Sequence, residues 1–418
     1  MSTVASTGAP TRLQVSLFLL GLVAVATLSQ SFRVLLNTVA PDVMRDLGMS
    51  ATVYGVAVSV FFLSLLLAQV PLGIAFDRYG VRGPITALTV LTVLGAVGQA
   101  LARTPAEMIA ARLVVGLGCS GYFMAGAVLC GAWFPPAQFS TMLARVFALG
   151  GVGTLLAGSP LALFAEWLGW RGAFGAMAAL AVAIGVLFWV TVQDAPPGAP
   201  RRRPSAGSTI DMLRGIGRIL RLPRMPMLMA MHFAAYASML AIMGAWSGPY
   251  LADVHHMDAL ARGHVVTAMA IAQIVGVSMY GPLDRVFNTR KGVVLGGVTF
   301  TLAPFLALVL IPVPPAWLAV TLLVTLCLFA AYSVQIVAHG RAMYPPDLVG
   351  RGVTTLNIAQ VSGSMVLPLL AGTVISQLSQ AGTRTDFAYR MGFGAVAAVL
   401  LVCALCYLAV PDRRPHDV

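Results

Sequence analysis

Apolar residues in this 418-residue chain gather into long unbroken runs rather than short alternating ones. Runs long enough to cross a bilayer, about 20 residues each, begin near residues 15, 52, 83, 106, 142, 172, 226, 261, 292, 316, 352 and 387. That pattern predicts twelve transmembrane helices. Period-two alternation, which would mark transmembrane strands, is missing from these runs. The fold class expected is an all-α membrane protein. The longest polar stretch, 194–225, falls near the middle and separates six spans in 1–193 from six in 226–418. Within it, Ile210, Met212, Leu213, Ile216, Ile219 and Leu220 recur at helical spacing with arginines between them. Such a segment is expected to lie as a helix on the membrane surface.

Composition agrees. The chain is 59% hydrophobic and only 10% Asp, Glu, Lys or Arg, against about 25% charged residues in a soluble protein. A soluble globule could not cover so much apolar surface. The net charge of +12 raises the question of a nucleic-acid partner, so the positions of the cations matter. With a cytoplasmic N-terminus, eighteen basic residues fall in cytoplasmic segments, Arg201, Arg202 and Arg203 among them, and six fall in outside loops. This is the positive-inside asymmetry, and it predicts that both termini are cytoplasmic. The charge is topological, and no nucleic-acid partner is expected. Ala24-Val25-Ala26 could pass for a signal-peptidase site, but cleavage there would leave an odd number of spans, so a retained first helix is expected. Cys403-Ala404-Leu405-Cys406 matches C-x-x-C without the strand context of a redox motif.

The two halves echo each other. The second span ends in Gly73-Ile74-Ala75-Phe76-Asp77-Arg78-Tyr79-Gly80-Val81-Arg82, and the eighth in Gly281-Pro282-Leu283-Asp284-Arg285. The fourth closes with Trp133-Phe134-Pro135-Pro136 and the tenth with Met343-Tyr344-Pro345-Pro346. Asp77 and Asp284 are 207 residues apart, and Pro136 and Pro346 are 210 apart, which points to an internal repeat. The stretch Gly73–Arg82 resembles the loop signature of the major facilitator superfamily between its second and third helices, with Val81 where a second basic residue is common. Arg112-Leu113-Val114-Val115-Gly116-Leu117-Gly118 is similar to that family's fourth-helix motif, and Trp170-Arg171 with Phe174 to its entry into helix six. The resemblance implies two pseudo-symmetric six-helix halves and a transporter. Gly73, Asp77, Arg78, Gly80, Arg82, Asp284 and Arg285 are candidates for a conformational latch, the glycines permitting close backbone approach and the charges pairing in one state only.

Two basic residues remain inside the apolar runs, Arg33 and Arg112. Burying an Arg at mid-membrane costs about 2.5–3.5 kcal/mol on insertion scales. All fourteen acidic residues fall at helix ends or in loops. Two buried cations without a buried carboxylate suggest that the missing anion is the substrate, which a guanidinium can grip bidentately. The competing reading is that Arg33 snorkels to the interface and Arg112 bonds backbone carbonyls. Gln30, Arg33 and Asn37 share one helix face. Tyr122, Tyr236, Trp246, Gln273, Tyr332, Asn357 and Gln360 lie in the spans and are further candidates for substrate hydrogen bonds. His232 and His339 are expected to be structural. The run from Phe32-Arg33 through Ala40-Pro41 to Gln69-Val70-Pro71-Leu72-Gly73 resembles the anion:cation symporter branch of the superfamily. In that branch, Arg at the positions of Arg33 and Arg112 contacts substrate carboxylates. Phe32 and Cys119 stand where the branch carries acids associated with proton coupling.

The expected function is a secondary transporter moving a small organic anion by alternating access, as proton symport or anion exchange. The alternative is a proton-driven exporter of hydrophobic or cationic compounds. Its usual fifth-helix G-P-x-x-G-G motif is poorly matched by Gly150-Gly151-Val152-Gly153, and two arginines would repel a cation. An enzyme is not expected, since no nucleophile–base pair or metal-ligand cluster stands out. Nor are cofactors or metals. The chain is expected as a monomer in the bacterial cytoplasmic (inner) membrane, with a small molecule, the bilayer and possible protons as its partners.

Overall fold

The computed structural model describes residues 11–196, 217–345 and 349–414. Among these residues the regular structure is helical throughout, with no strand. Helix α1 is Arg12–Leu47, α2 Ala51–Tyr79 and α3 Arg82–Leu101. Helix α4 runs Pro105–Trp133 with a loosened turn near Ser120, α5 covers 136–168 and α6 covers 170–191. In the second half, α7 is Met225–Asp253, α8 Ala259–Tyr280, α9 Arg290–Leu310, α10 Ala316–Met343, α11 Val349–Gln380 and α12 Thr385–Tyr407. Followed as continuous helix, α5 and α6 would merge into one stretch, Thr141–Thr191. Gly169, at φ 67° and ψ 174°, breaks it. That single left-handed glycine makes the spans twelve, as expected.

Short polar residues set the helix starts by taking up free backbone amides. Thr11 and Gln14 form a reciprocal capping box at α1. Ser50 caps α2, Thr104 α4, Asp258 α8 and Thr289 α9. Most of the surface helix expected over 209–222, with Arg201, Arg202 and Arg203, lies outside the described residues.

Helices α1–α6 and α7–α12 form two halves, and both chain ends leave from the same end of the bundle, called here the termini end. The opposite face is the far end. Helix α7 is the most enclosed span, with 72% of its most apolar window buried, whereas in α3 only 33% is. α7 therefore belongs to the interior of the bundle and α3 to its lipid-facing edge. The contacts between halves run chiefly through α1 with α7, α2 with α11 and α5 with α8, and α1 also meets α8.

Candidate functional site

The halves are joined firmly at the far end. Asn37 of α1 donates through Nδ2 to Met243 O and Ser247 Oγ, each at 2.9 Å, and its Oδ1 accepts from Gly248 N at 2.9 Å. Its partners sit where α7 loosens into a π-helical turn, Ile242–Trp246, and then resumes. Gly248 belongs to this contact because a Cβ there would collide with the Asn37 carbonyl oxygen. Tyr54 Oη donates to Ala245 O at 2.9 Å, Ser59 Oγ to Met365 O at 2.6 Å, and Thr267 Oγ1 accepts from Ser159 N at 2.8 Å. At the outermost level Arg262, nearly buried, reaches Asp42 at 3.3 Å across the halves. The termini-end segments Tyr122–Trp133 and Ser333–Met343 instead make their helix contacts within their own halves.

Asn37 fixes the level of Arg33. One turn away on the same side of α1, Arg33 lies just beneath the far-end seal. Its backbone carbonyl lies against Gly244 of α7. The guanidinium carbon stands 5.3 Å from the centre of the Phe123 ring and 5.9 Å from that of Phe62. Its Nε is buried with no hydrogen-bond partner. Arg33 is half-buried and has no ion pair among the described residues. Gln30, one turn nearer the termini end, likewise has an unpartnered Oε1.

Arg112 is placed differently. It is fully buried, donating through Nε to Ala57 O at 3.2 Å and through Nη1 to Phe32 O at 3.0 Å. Its guanidinium carbon lies 4.8 Å from the Phe61 ring centre, and Nη2 has no partner. It therefore bonds backbone carbonyls, and in this conformation it does not face the space between the halves. The Cys119 thiol, where the resemblance would have a carboxylate, lies within electrostatic range of both guanidinium groups.

The other candidates divide between wall and scaffold. Tyr236, Gln273 and Gln360 line an open recess in the second half, together with the almost wholly buried His232. Asn357 is exposed on α11. Tyr122 is buried with its hydroxyl 3.0 Å from Thr92 Oγ1 and 3.1 Å from Thr89 Oγ1, which ties α4 to α3. Trp246 is buried, donates to Pro368 O at 2.9 Å and meets Tyr54 edge-on. It belongs to the far-end seal. Tyr332 is fully buried with an unpartnered hydroxyl. His339, Nδ1 2.6 Å from Tyr407 Oη and Nε2 3.0 Å from Pro411 O, holds α10 to α12.

The loop between α2 and α3 is held by a residue outside the motif. Asp194, just past α6, accepts from Val81 N at 2.7 Å and Arg82 N at 2.8 Å. Gly80, at φ 77°, sits where any side chain would strike that carboxylate. Arg82 covers the Trp189 ring and donates to Trp189 O. Gly73 does not serve the close approach expected of it, since a Cβ there would meet nothing within 4 Å. Asp77 and Arg78 are exposed, and Asp77 makes no ion pair among the described residues. The second half repeats the arrangement. Asp412, just past α12, accepts from Thr289 Oγ1 at 2.5 Å, Lys291 N at 3.0 Å and Arg290 N at 3.2 Å. Burial would raise the Asp412 pKa, but the hydrogen bonds from Thr289, Lys291 and Arg290 outweigh it and hold the carboxyl below its ordinary value. Asp284 pairs with Arg290 of its own half at 3.6 Å, and Arg285 is exposed. One residue before each aspartate, a carbonyl receives a ring nitrogen: Trp133 Nε1 donates to Gln193 O at 2.9 Å, and His339 Nε2 meets Pro411 O.

The family model described as "Major Facilitator Superfamily" matches residues 19–278 and 228–418. The chain belongs to the major facilitator superfamily. "Probable nitrate/nitrite transporter NarK2" of Mycobacterium tuberculosis is 25% identical over 91% of this chain and 92% of its own length. "Hexuronate transporter" of Bacillus subtilis is 23% identical over 62% of each. Among solved structures, a D-xylose-proton symporter superposes with a TM-score of 0.76 at 16% identity, covering 95% of this chain and 98% of the other. The protein is thus a major facilitator transporter, a multi-pass membrane protein and not an enzyme. Two features of this transporter escaped the sequence reading. Arg262, one of the six basic residues that sequence position assigns to outside loops, is a nearly buried cross-half ion-pair partner. Asp194 and Asp412 were counted only as loop acids. Their recurrence next to prolines just past the sixth and twelfth spans, Asp194-Ala195-Pro196 and Pro411-Asp412, was the available signal.

Proposed function

We propose that this transporter carries a small organic anion through the cytoplasmic (inner) membrane by alternating access, with both termini in the cytoplasm. The far-end seal then makes the present conformation inward-facing. The observation that carries the reading is Arg33, a half-buried guanidinium between the Phe62 and Phe123 rings with an unpartnered Nε and no ion pair among the described residues. A cation held in low dielectric without a counterion is an anion site by default. Arg112 adds a second positive charge behind Phe61 and holds α4 against α1 and α2. The names of the relatives, nitrate/nitrite and hexuronate transporters, point the same way.

Coupling is proton symport or anion exchange, a choice the resemblance leaves open. With Phe32 and Cys119 in place of the usual acids, the proton in symport rides on the substrate or on a histidine. Uptake of labelled organic acids into proteoliposomes tests the reading. Wild type is expected to accumulate at least one acid that Arg33→Ala does not. Equal uptake by both proteins would sink it. An imposed pH gradient that drives accumulation identifies symport, and acceleration by internal substrate without a gradient identifies exchange.

A further inference from the structure

Between Lys291 and Arg341 the chain carries no Asp, Glu, Lys or Arg. That uncharged stretch spans α9, α10 and the far-end turn between them, Ile311-Pro312-Val313-Pro314-Pro315. A turn facing water is normally polar. Its counterpart in the first half, joining α3 to α4, is polar. There Arg103 and Thr104 are exposed, Arg103 N donates to Glu107 Oε2 at 2.7 Å, and Thr104 Oγ1 accepts from Glu107 N at 3.2 Å. Each turn is held by an arginine from the last span of its own half. Arg171 of α6 donates to Ala102 O at 3.0 Å, and Arg390 of α12 donates to Val309 O at 2.6 Å and Leu310 O at 3.4 Å. The scaffold is repeated and the surface it carries is not.

The apolar side chains of the second turn stand in the open. Leu310, Ile311, Val313 and Trp317 are exposed, Trp317 at 69%. Val313 is held at φ 43°, a conformation costly for a β-branched residue. Helical side chains lean toward the helix N-terminus, which in α10 is the far end, so the Trp317 ring rises toward the turn. The patch also continues downward, since Phe300 and Leu306 of α9 are exposed as well. Helix α9 is the repeat counterpart of the lipid-facing α3.

The backbone suits the same surroundings. In a low-dielectric layer each unpaired amide or carbonyl is costly. Three of the five turn residues are prolines and have no amide to satisfy. Ile311 N donates to Ala307 O at 3.0 Å, and Pro315 O accepts from Leu318 N at 2.9 Å. The Val309 and Leu310 carbonyls are taken by Arg390.

We infer that the α9–α10 turn is an anchor in the lipid leaflet at the far end. Val313 and Trp317 sit at the boundary between headgroups and acyl chains, while the α3–α4 turn stays in water. Tryptophan fits that boundary, with an apolar ring for the chains and one N–H for the headgroups. The occupant is lipid because the patch extends the lipid-facing surface of α9 instead of forming an island in a polar surface. The inference goes beyond the anion reading and holds whatever the substrate.

The test uses the full-length protein in lipid nanodiscs, with one nitroxide at a time at Val313→Cys or Arg103→Cys in a Cys406→Ser background. Collisions with oxygen, which concentrates among acyl chains, are compared with collisions with a water-soluble nickel chelate. The Val313 label is expected to favour oxygen and to lie at least about 5 Å below the lipid phosphates. The Arg103 label is expected to favour nickel. Without any label, Trp317→Phe should remove part of the tryptophan fluorescence that lipids brominated high on their acyl chains quench. Nickel access at Val313 equal to that at Arg103 overturns the inference, as does lipid quenching unchanged in Trp317→Phe. A Val313 label shielded from both reagents also overturns it, and spin–spin broadening that vanishes on dilution with unlabelled protein would identify a second copy as the occupant.

Discussion

Asn37 was expected among substrate contacts, but its side chain is fully engaged in the seal between the halves, and replacing it separates the two roles. Asn37→Ala removes three cross-half hydrogen bonds, to Met243 O, Ser247 Oγ and Gly248 N. All three exist only while the far end is closed. At about 0.5–1.5 kcal/mol net for each bond, the closed state loses roughly 1.5–4.5 kcal/mol relative to the far-end-open one. At about 1.4 kcal/mol per factor of ten, the equilibrium moves about 10- to 1000-fold toward the open state. The assay is the distance between spin labels on far-end loops of opposite halves, at Arg103→Cys and Val313→Cys in a Cys406→Ser background. Both label sites are exposed, and Cys406 is the one exposed cysteine among five. A longer-distance population should grow in Asn37→Ala and be small in the parent. An unchanged distance distribution, with a raised KM for transport, would refute this reasoning and return Asn37 to the substrate.

Other expectations follow from the same geometry. Gly248→Ala should shift the labels in the same direction as Asn37→Ala, since a methyl there overlaps the Asn37 carbonyl only when the far end is closed. Arg112→Ala should lower the thermal unfolding temperature in detergent, because it removes two buried interhelical hydrogen bonds, to Ala57 O and Phe32 O, and leaves a cavity where the side chain packed, at about 2–4 kcal/mol; Arg112→Lys should recover part of that loss. Asp194→Ala and Asp412→Ala should each lower thermal stability, and the double variant should show the sum, since the sites belong to different halves. The lowered pKa of Asp412 stabilises the folded chain above its unfolded value of about 3.9, and the benefit is lost as pH falls through the folded value. The stability gap between wild type and Asp412→Ala should therefore be full at neutral pH and close in acid.

The parts legible in the sequence are those governed by the bilayer. Twelve spans, their split into halves and the shared face of Gln30, Arg33 and Asn37 follow from span length and the 3.6-residue period. What could not be read was which partner a polar side chain finds across helices. Asn37 and Arg33 look alike on a helical wheel, yet one meets the π-helical turn of α7 and the other the Phe62 and Phe123 rings. Arg112 looked like a twin of Arg33, and only the arrival of the Ala57 and Phe32 carbonyls on either side of it separates them. Gly73 and Gly80 look equivalent in the loop motif, but Asp194 comes to rest against one and nothing meets the other.

The paired aspartates bear on how force passes through the molecule. Asp194 pins the exit of α6 to the α2–α3 loop, and Asp412 pins the exit of α12 to the start of α9. Each half is closed on itself like a hoop, with its last helix fastened back to the junction of its second and third helices. When the halves rock, the strain is borne by these hoops and by the helix pairs between them. Cohesion between the halves then rests on those helix pairs, and two separately expressed halves should still assemble into a working transporter.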